Sequence, residues 1–489
     1  MKRLNLFLVL TCCMLASVQG SINMPAVFGD NMVLQRQSEV TVWGAHTCDW
    51  RLTVPEIRVT GSWAPLDTAV AEYTMDGHWK AKIRTGAAGG PYTLKIFSSL
   101  NETVEYKNVM LGEVWLCSGQ SNMHWWMSSV NATGKYNDEI AGATKQSDIR
   151  IFDVPLIGAE YPQNDCDASW EECSPKTLES TSAVAYFFAR HLKDALGVPV
   201  GIIVSAWGGT CFDVWTSKEL IYGNPSLKAS FDASHPDGPP WPADAGGLYN
   251  AMIHPLVPFH IAGAIWYQGE SNVGRYQTYA EGMKTMITGW RKSFGKEFPF
   301  YQVQIAPFRY NTPHNEAALL REQQELATVI TPKTGMVVVS DLVENVGDIH
   351  PTDKLNVGKR LANLALGDTY RQPLAEYRNP TFGRLTVEKG KAVVSFNHTG
   401  TGLICRDKKV EGLKIAGADG VYYDADGTLK NDRLTVSSPH VKEPVSVTYC
   451  FDDTTFGNLF TKGGLPVAPF RSDRTGFPEA YELSAQERK

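Results

Sequence analysis

VWLCSGQSNM, residues 114–123, starts as a buried strand and ends as something else. An apolar run that turned back into a core would meet Gly, Pro or Asp. Here it meets six small or amide-bearing residues in succession, Cys117, Ser118, Gly119, Gln120, Ser121 and Asn122. Hydrogen-bonding groups gathered at the end of an apolar strand predict a loop that solvent and a ligand can reach.

Three more apolar runs end in unusual loops. Residues 200–206 lead into WGGT (207–210), 262–267 into QGESN (268–272), and 336–340 into Asp341 and then VGDIHPTDK (346–354). Helical periodicity at 183–195, 279–293, 316–329 and 354–366 alternates with these runs. The alternation predicts an α/β layer with a mainly parallel sheet. Ligands of such sheets bind in the crevice outside the strands' carboxyl ends, so the four loops are expected to meet. On either side the pattern is different. Short alternating runs such as VTVWG, WKAKIRT and YTLKIFSS precede residue 109, and RLTVEKG, KAVVSFN and VSVTYCF follow residue 381, both sets broken by turn residues. The expected organisation is an export signal over 1–20, an N-terminal β module over 21–108, a catalytic domain over 109–375 and a C-terminal β module over 376–489.

The bulk properties agree with several cores in one chain. At 489 residues it is too long for a single core, and 43% hydrophobic with 20% charged residues is a soluble globular composition. A net charge of −6 offers no footprint for nucleic acid or an anionic membrane. Lys2 and Arg3, the apolar run 4–16 and small residues up to Gly20 read as a cleaved export signal, with lipid modification at Cys12 as the alternative. No later run approaches a membrane span. The mature protein is expected outside the cytosol, periplasmic or secreted, or lysosomal or extracellular in a eukaryote. Without Cys12 and Cys13, seven cysteines remain, an odd number, with Cys166 and Cys173 as candidates for a disulfide. No cysteine pairing has zinc-ligand spacing, so a metal site is not indicated. The sequons at Asn101, Asn131 and Asn397 matter only in a host that glycosylates exported proteins.

A serine, a histidine and an aspartate beside N–H donors form an acyl-transfer set. Ser121 fits the nucleophile, because Gly119 lets the backbone turn and expose its hydroxyl. His350 fits the base, with His254 as a rival that also precedes a proline and His124 too near Ser121 in sequence to approach it easily. Gly208 or Gly209 can offer an unobstructed N–H and Asn272 a side-chain amide to a developing oxyanion. The segment is not a Gly-x-Ser-x-Gly elbow, since Met123 stands where the second glycine belongs. Gln120, Gln268 and Glu270 are candidates for substrate contact or for tying loops together. Trp125 and Trp126 are candidates for stacking on a sugar or for the core, while Arg275 and Arg321 are candidates for meeting a carboxylate. Cys117 and Cys211 are expected to be small buried hydrophobes.

The motifs GQSNM (119–123), WGGT (207–210), IHPL (253–256), WYQGESN (266–272), IHPTDK (349–354) and GNLFTKGGLPVAPFRSD (457–473), with the early GDNMVLQR (29–36), resemble the SGNH (GDSL-like) hydrolases. Within these the chain is similar to the sialate O-acetylesterase family over nearly its whole mature length. The resemblance implies a three-layer α/β/α catalytic domain and serine-dependent removal of acetyl groups from sugar hydroxyls without metal or organic cofactor. It implies Ser121 as nucleophile and His350 as base, with an oxyanion hole built from the N–H groups of Ser121 and a WGGT glycine and from Asn272. One departure stands out: many SGNH enzymes carry the orienting Asp three residues before the His, and that place holds Gly347. Asp348, two before, is the first candidate; Asp341, Asp353 and a main-chain carbonyl stay open. The expected substrate is O-acetylated sialic acid, with acetylated xylan or pectin as the alternative. A carbohydrate-binding protein on a dead esterase scaffold, and a glycosidase using Glu270 and Asp348, are the rivals of other classes.

Overall fold

The computed structural model describes residues 21–47, 54–74, 77–234, 244–310, 312 and 315–477. The expected export segment 1–20, with Cys12 and Cys13, and also Cys48, lie outside them. The chain is mixed α/β, built on a sheet with additional β-rich regions on both sides.

At the centre six parallel strands lie side by side in the order Ile149–Asp153, Val200–Ala206, Thr103–Gly119, Gly263–Tyr267, Phe300–Val303 and Thr334–Val337, with Trp170–Glu172 antiparallel at one edge. Strand periodicity of two explains how one sheet feeds two cores. Val114 and Leu116 join one cluster and Trp115 and Cys117 the other; Ala264 and Trp266 divide from Ile265 and Tyr267 in the same way. Helices Tyr279–Phe294 and Glu316–Ile330 pack on the first face, Ala183–Leu196 and Lys354–Asp368 on the second. The four helices match the expected spans to within two residues at each end. Chain order runs from the central strand to one side and then to the other, which creates a switch point at the carboxyl end of Thr103–Gly119.

The central strand is 17 residues long and runs through the expected boundary at 108/109 without a break. Its first half pairs with Gly89–Ser98 and its middle with Val33–Gln35, so the sheet of the N-terminal β region continues into the parallel one. Gln35 and Arg36 both reach Glu113, at 2.8 and 2.6 Å. The early GDNMVLQR motif is therefore a clamp on the base of the central strand. At the other end of the chain, residues from 381 form β-sheets around their own core. Arg471 makes a bidentate pair with Glu322 at 2.7 and 2.8 Å, and Arg474 meets Glu325 at 2.9 Å, fixing the late motif and the residue just beyond it to helix Glu316–Ile330.

Cys166 and Cys173 are both free, which corrects the expected disulfide. Strand Trp170–Glu172 separates them: Cys173 is buried in one core, while Cys166 packs against the opposite one. Asn397 is buried and offers no place for a glycan. Among the described residues no helix is long and apolar enough to cross a membrane.

Candidate active site

The strand ends converge through backbone contacts. Gly119 closes the central strand at φ +142°, and a Cβ there would lie 2.2 Å from the Tyr267 carbonyl oxygen, so the close approach of these two strands demands glycine. The Gln120 N–H donates to the Tyr267 carbonyl (2.9 Å) and the Trp207 N–H to that of Gly119 (3.1 Å), locking three strand ends together. Ser121 then begins the short helix Ser121–His124. Its N–H is one of those that helix geometry leaves without an intrahelical acceptor. Gly208 lies against it: a Cβ on Gly208 would be 3.3 Å from the Ser121 Cβ.

His350 arrives from the last of the four loops, and its Nε2 is 2.9 Å from Ser121 Oγ. Local side-chain turns hold that loop. Asn345 Oδ1 accepts the Gly347 N–H at 2.8 Å, and Asp348 Oδ1 accepts the His350 N–H at 2.9 Å. Trp125 stacks on the imidazole with ring centroids 4.0 Å apart and planes at 22°. Burial, then the Lys354 cation, push the His350 pKa below the ordinary imidazole value, and Asp348 pulls the other way. A neutral ring that accepts the serine proton at Nε2 must carry its own at Nδ1. Asp348 Oδ1 lies 3.9 Å from Nδ1 with its side chain 56% exposed, so it faces the ring beyond hydrogen-bond distance.

The alternative acids are engaged elsewhere. Asp341 makes a bidentate pair with Arg360 at 2.7 and 2.6 Å, and Asp353 caps helix Lys354–Asp368 by accepting the Asn356 N–H at 3.0 Å. His254 bonds the Gln163 carbonyl at 2.8 Å and lines a separate cavity of about 300 Å³ with Trp43, His78 and Asp165. His124 accepts the Trp126 indole N–H at 3.3 Å, and Trp126 is 45% exposed beside helix Ser121–His124.

Other candidates are held within the protein. Gln120 Oε1 accepts the N–H groups of Gly269 (3.3 Å) and Ser271 (3.2 Å). Gln268 donates to the Thr210 carbonyl (3.2 Å) and to Asn272 Oδ1 (2.7 Å) and accepts from Tyr279 Oη (3.0 Å). Asn272 is fully buried; its Oδ1 also takes the Phe212 N–H at 3.1 Å, which turns its Nδ2 the other way, with Asp213 3.5 Å distant. Arg275 forms a two-point pair with buried Asp213 at 2.7 and 3.3 Å. Arg321 is buried and donates to the Asp452 carbonyl of the C-terminal region. Cys117 is fully buried and its thiol is pushed up by burial alone. Among the described residues no group of three or more His, Cys, Asp or Glu is placed to hold a metal.

Two residues inside quoted motifs escaped sequence reasoning. Asn122 Nδ2 donates to Glu270 Oε1 (2.6 Å) and to the Ile349 carbonyl (3.0 Å), joining the neighbour of Ser121 to the neighbour of His350. Lys354 Nζ, fully buried, donates to Asn122 Oδ1 at 2.5 Å. The available signal was a lysine at the first position of a helix, where the macrodipole disfavours a cation.

A hydroxyl and an imidazole in contact at the carboxyl edge of a parallel sheet suit acyl transfer from an ester, and the chain is a carboxylic ester hydrolase. Residues 111–367 match the family model described as carbohydrate esterase, sialic acid-specific acetylesterase. The human sialate O-acetylesterase is 32% identical over 71% of this chain and 72% of its own length, and the mouse protein 29% identical over 73% and 75%. The crystal structure of a carbohydrate acetylesterase from Xanthomonas citri superposes with a TM-score of 0.81 at 34% identity, covering 93% of this chain and all of that one. The chain belongs to the sialic acid-specific acetylesterase family of carbohydrate esterases.

Proposed function

We propose that the protein is an exported, serine-dependent esterase that releases acetate from O-acetylated sialic acids. The observation that carries this reading is the 2.9 Å contact between Ser121 Oγ and His350 Nε2 where the four loops meet. Helices on both faces of the parallel sheet support the three-layer α/β/α arrangement of SGNH hydrolases, with 109–375 as the catalytic unit. In this mechanism Ser121 Oγ attacks the acetyl carbonyl carbon while its proton passes to His350 Nε2. The oxyanion is held by the N–H groups of Ser121 and of Gly208 or Gly209 and by the Asn272 amide. Collapse breaks the ester bond, the sugar oxygen takes the proton from His350, and acetyl-Ser121 remains. Water, deprotonated by His350, then attacks the acetyl carbon; the acyl–Oγ bond breaks, Ser121 Oγ takes the proton back from His350, and acetate and free Ser121 result. Asp348 is the acid facing Nδ1 in the imidazolium state. Trp125 holds the imidazole, Trp126 offers the sugar an exposed ring, and Gln120, Gln268, Glu270 and Arg275 support the loops.

The sialate preference rests on the family's description and on the names of the curated relatives. Acetate release from O-acetylated sialoglycan is measured beside acetylated xylan and pectin, with Ser121→Ala as the blank. Preference for the sialoglycan is expected; equal or faster release from a plant glycan would keep the serine mechanism and discard the sialate substrate. Export rests on residues 1–20, and a mature N-terminus near Ser21 is its check.

A further inference from the structure

Behind the Ser121–His350 contact lies a polar cluster that no step of the reaction uses. Lys354, at the first turn of helix Lys354–Asp368, is fully buried, with Nζ 2.5 Å from Asn122 Oδ1 and 5.4 Å from the centre of the Tyr267 ring. The same Asn122 amide donates to Glu270 Oε1 at 2.6 Å and to the Ile349 carbonyl at 3.0 Å. One side chain therefore joins a buried cation, a buried carboxylate and the backbone of the base loop, and it sits next to the nucleophile. Burying a lysine and a glutamate together, with the lysine set against a helix dipole, is costly, and burial raises the Glu270 pKa as it lowers that of Lys354.

We propose that Lys354 and Glu270, linked through Asn122, act as positioning residues that lock the base loop to the nucleophile helix and keep His350 neutral, ready to accept the Ser121 proton. The inference rests on the Ser121–His350 reading above. The groups facing Lys354 are Glu270 from the QGESN loop, Asp348 from the base loop, Asp353 at the helix cap and the Tyr267 ring from its strand; those facing His350 are Lys354 and Asp348. A cation at Lys354 makes the imidazolium less stable, which agrees with the lowered pKa of His350. Burial lowers Lys354 itself to about 7 although Glu270, Asp348 and Asp353 pull it upward.

The test is the pH profile of kcat/KM for acetate release by the whole enzyme. The wild type is expected to hold its rate below pH 6.5 and lose it only further into acid. Lys354→Met is expected to move the acid limb to higher pH and lower kcat about tenfold or more with little change in KM, and Lys354→Arg to restore the limb. Because Lys354→Met leaves Glu270 buried without a cation, the double variant Lys354→Met/Glu270→Gln keeps the test open if the single one does not fold. It removes both charges and retains an acceptor for Asn122, and the same limb shift is expected. An unshifted limb in a folded Lys354→Met or in the double variant overturns the inference, even where Ser121→Ala is dead. If Ser121→Ala keeps its rate, the Ser121–His350 reading fails and takes this inference with it.

Discussion

Asp348 is the residue on which sequence and geometry differ most in emphasis. Its place two before His350 predicts that an extended segment turns both side chains the same way. In the structure the carboxylate does face the ring, but its near oxygen is engaged by the His350 backbone N–H and stands 3.9 Å from Nδ1, over half exposed to water. Solvent screening weakens a charge in that position. Asp348→Asn is therefore expected to lower kcat by about 10-fold to 10²-fold, well short of the loss from a buried orienting acid. Asp341→Asn, which opens the pair with Arg360, should register in stability and leave kcat nearly unchanged. A loss at Asp341 exceeding that at Asp348, read from steady-state kinetics of both variants, would move the orienting role. That Ser121 and His350 would meet was legible because acyl transfer needs one residue type in one kind of loop for each of them. Lys354 was not, because a lysine near a helix start is ordinarily solvated, and only the fold reveals that this one is buried against Asn122.

At the scale of the element, the strand-end loops carry the account. Their convergence was readable in advance, since four apolar runs ending in small and amide residues leave few other places for those groups. The helices were equally plain, because strong 3.6-residue periodicity fixes a long element better than its boundaries. Open in the sequence was the work of the amides inside the loops. Gln120 and Gln268 read as substrate contacts or as ties between loops; Gln120 accepts two backbone N–H groups of the QGESN loop, and Gln268 bonds the Thr210 carbonyl, Asn272 and Tyr279. A buried amide left half-bonded would cost stability, so the fold completes its bonds from whatever loop lies closest. WGGT shows the opposite device, a glycine where an added methyl group would press on the serine beside it. Gly208→Ala would set a methyl group 3.3 Å from the Ser121 Cβ. It is expected to reduce kcat/KM about tenfold or more by crowding the oxyanion position while the melting temperature changes little. Full activity in the Gly208→Ala enzyme would remove that loop from the catalytic edge.

Across the whole molecule, the outer β regions are joined to the central sheet by different devices. The N-terminal region shares a continuous strand with it, so composition changes near residue 109 while the backbone hydrogen bonding does not. The C-terminal region is held by ion pairs, and the GNLFTKGGLPVAPFRSD motif, conspicuous in the sequence, supplies Arg471 to them and is followed at once by Arg474. Arg474→Met would leave Glu325 buried and unpaired beside Glu322. A destabilisation of about 3 kcal/mol is expected in denaturant unfolding, with kcat/KM at 25 °C preserved in the folded fraction. No loss of stability would mean that the pair contributes nothing to docking. The sequence could not display this, because each arginine's partner lies 149 residues away and nothing local marks it as buried. The central claim is narrower than the fold: Ser121 carries the acetyl group between the sugar and water. Rapid acid quenching during turnover of O-acetylated sialoglycan, followed by peptide mass spectrometry, tests it most directly. The account predicts one acetyl group on the peptide containing Ser121, lost in Ser121→Ala together with at least about 10³-fold of the rate; acetate released at the wild-type rate by Ser121→Ala, or an acetyl group trapped on another side chain, would contradict it.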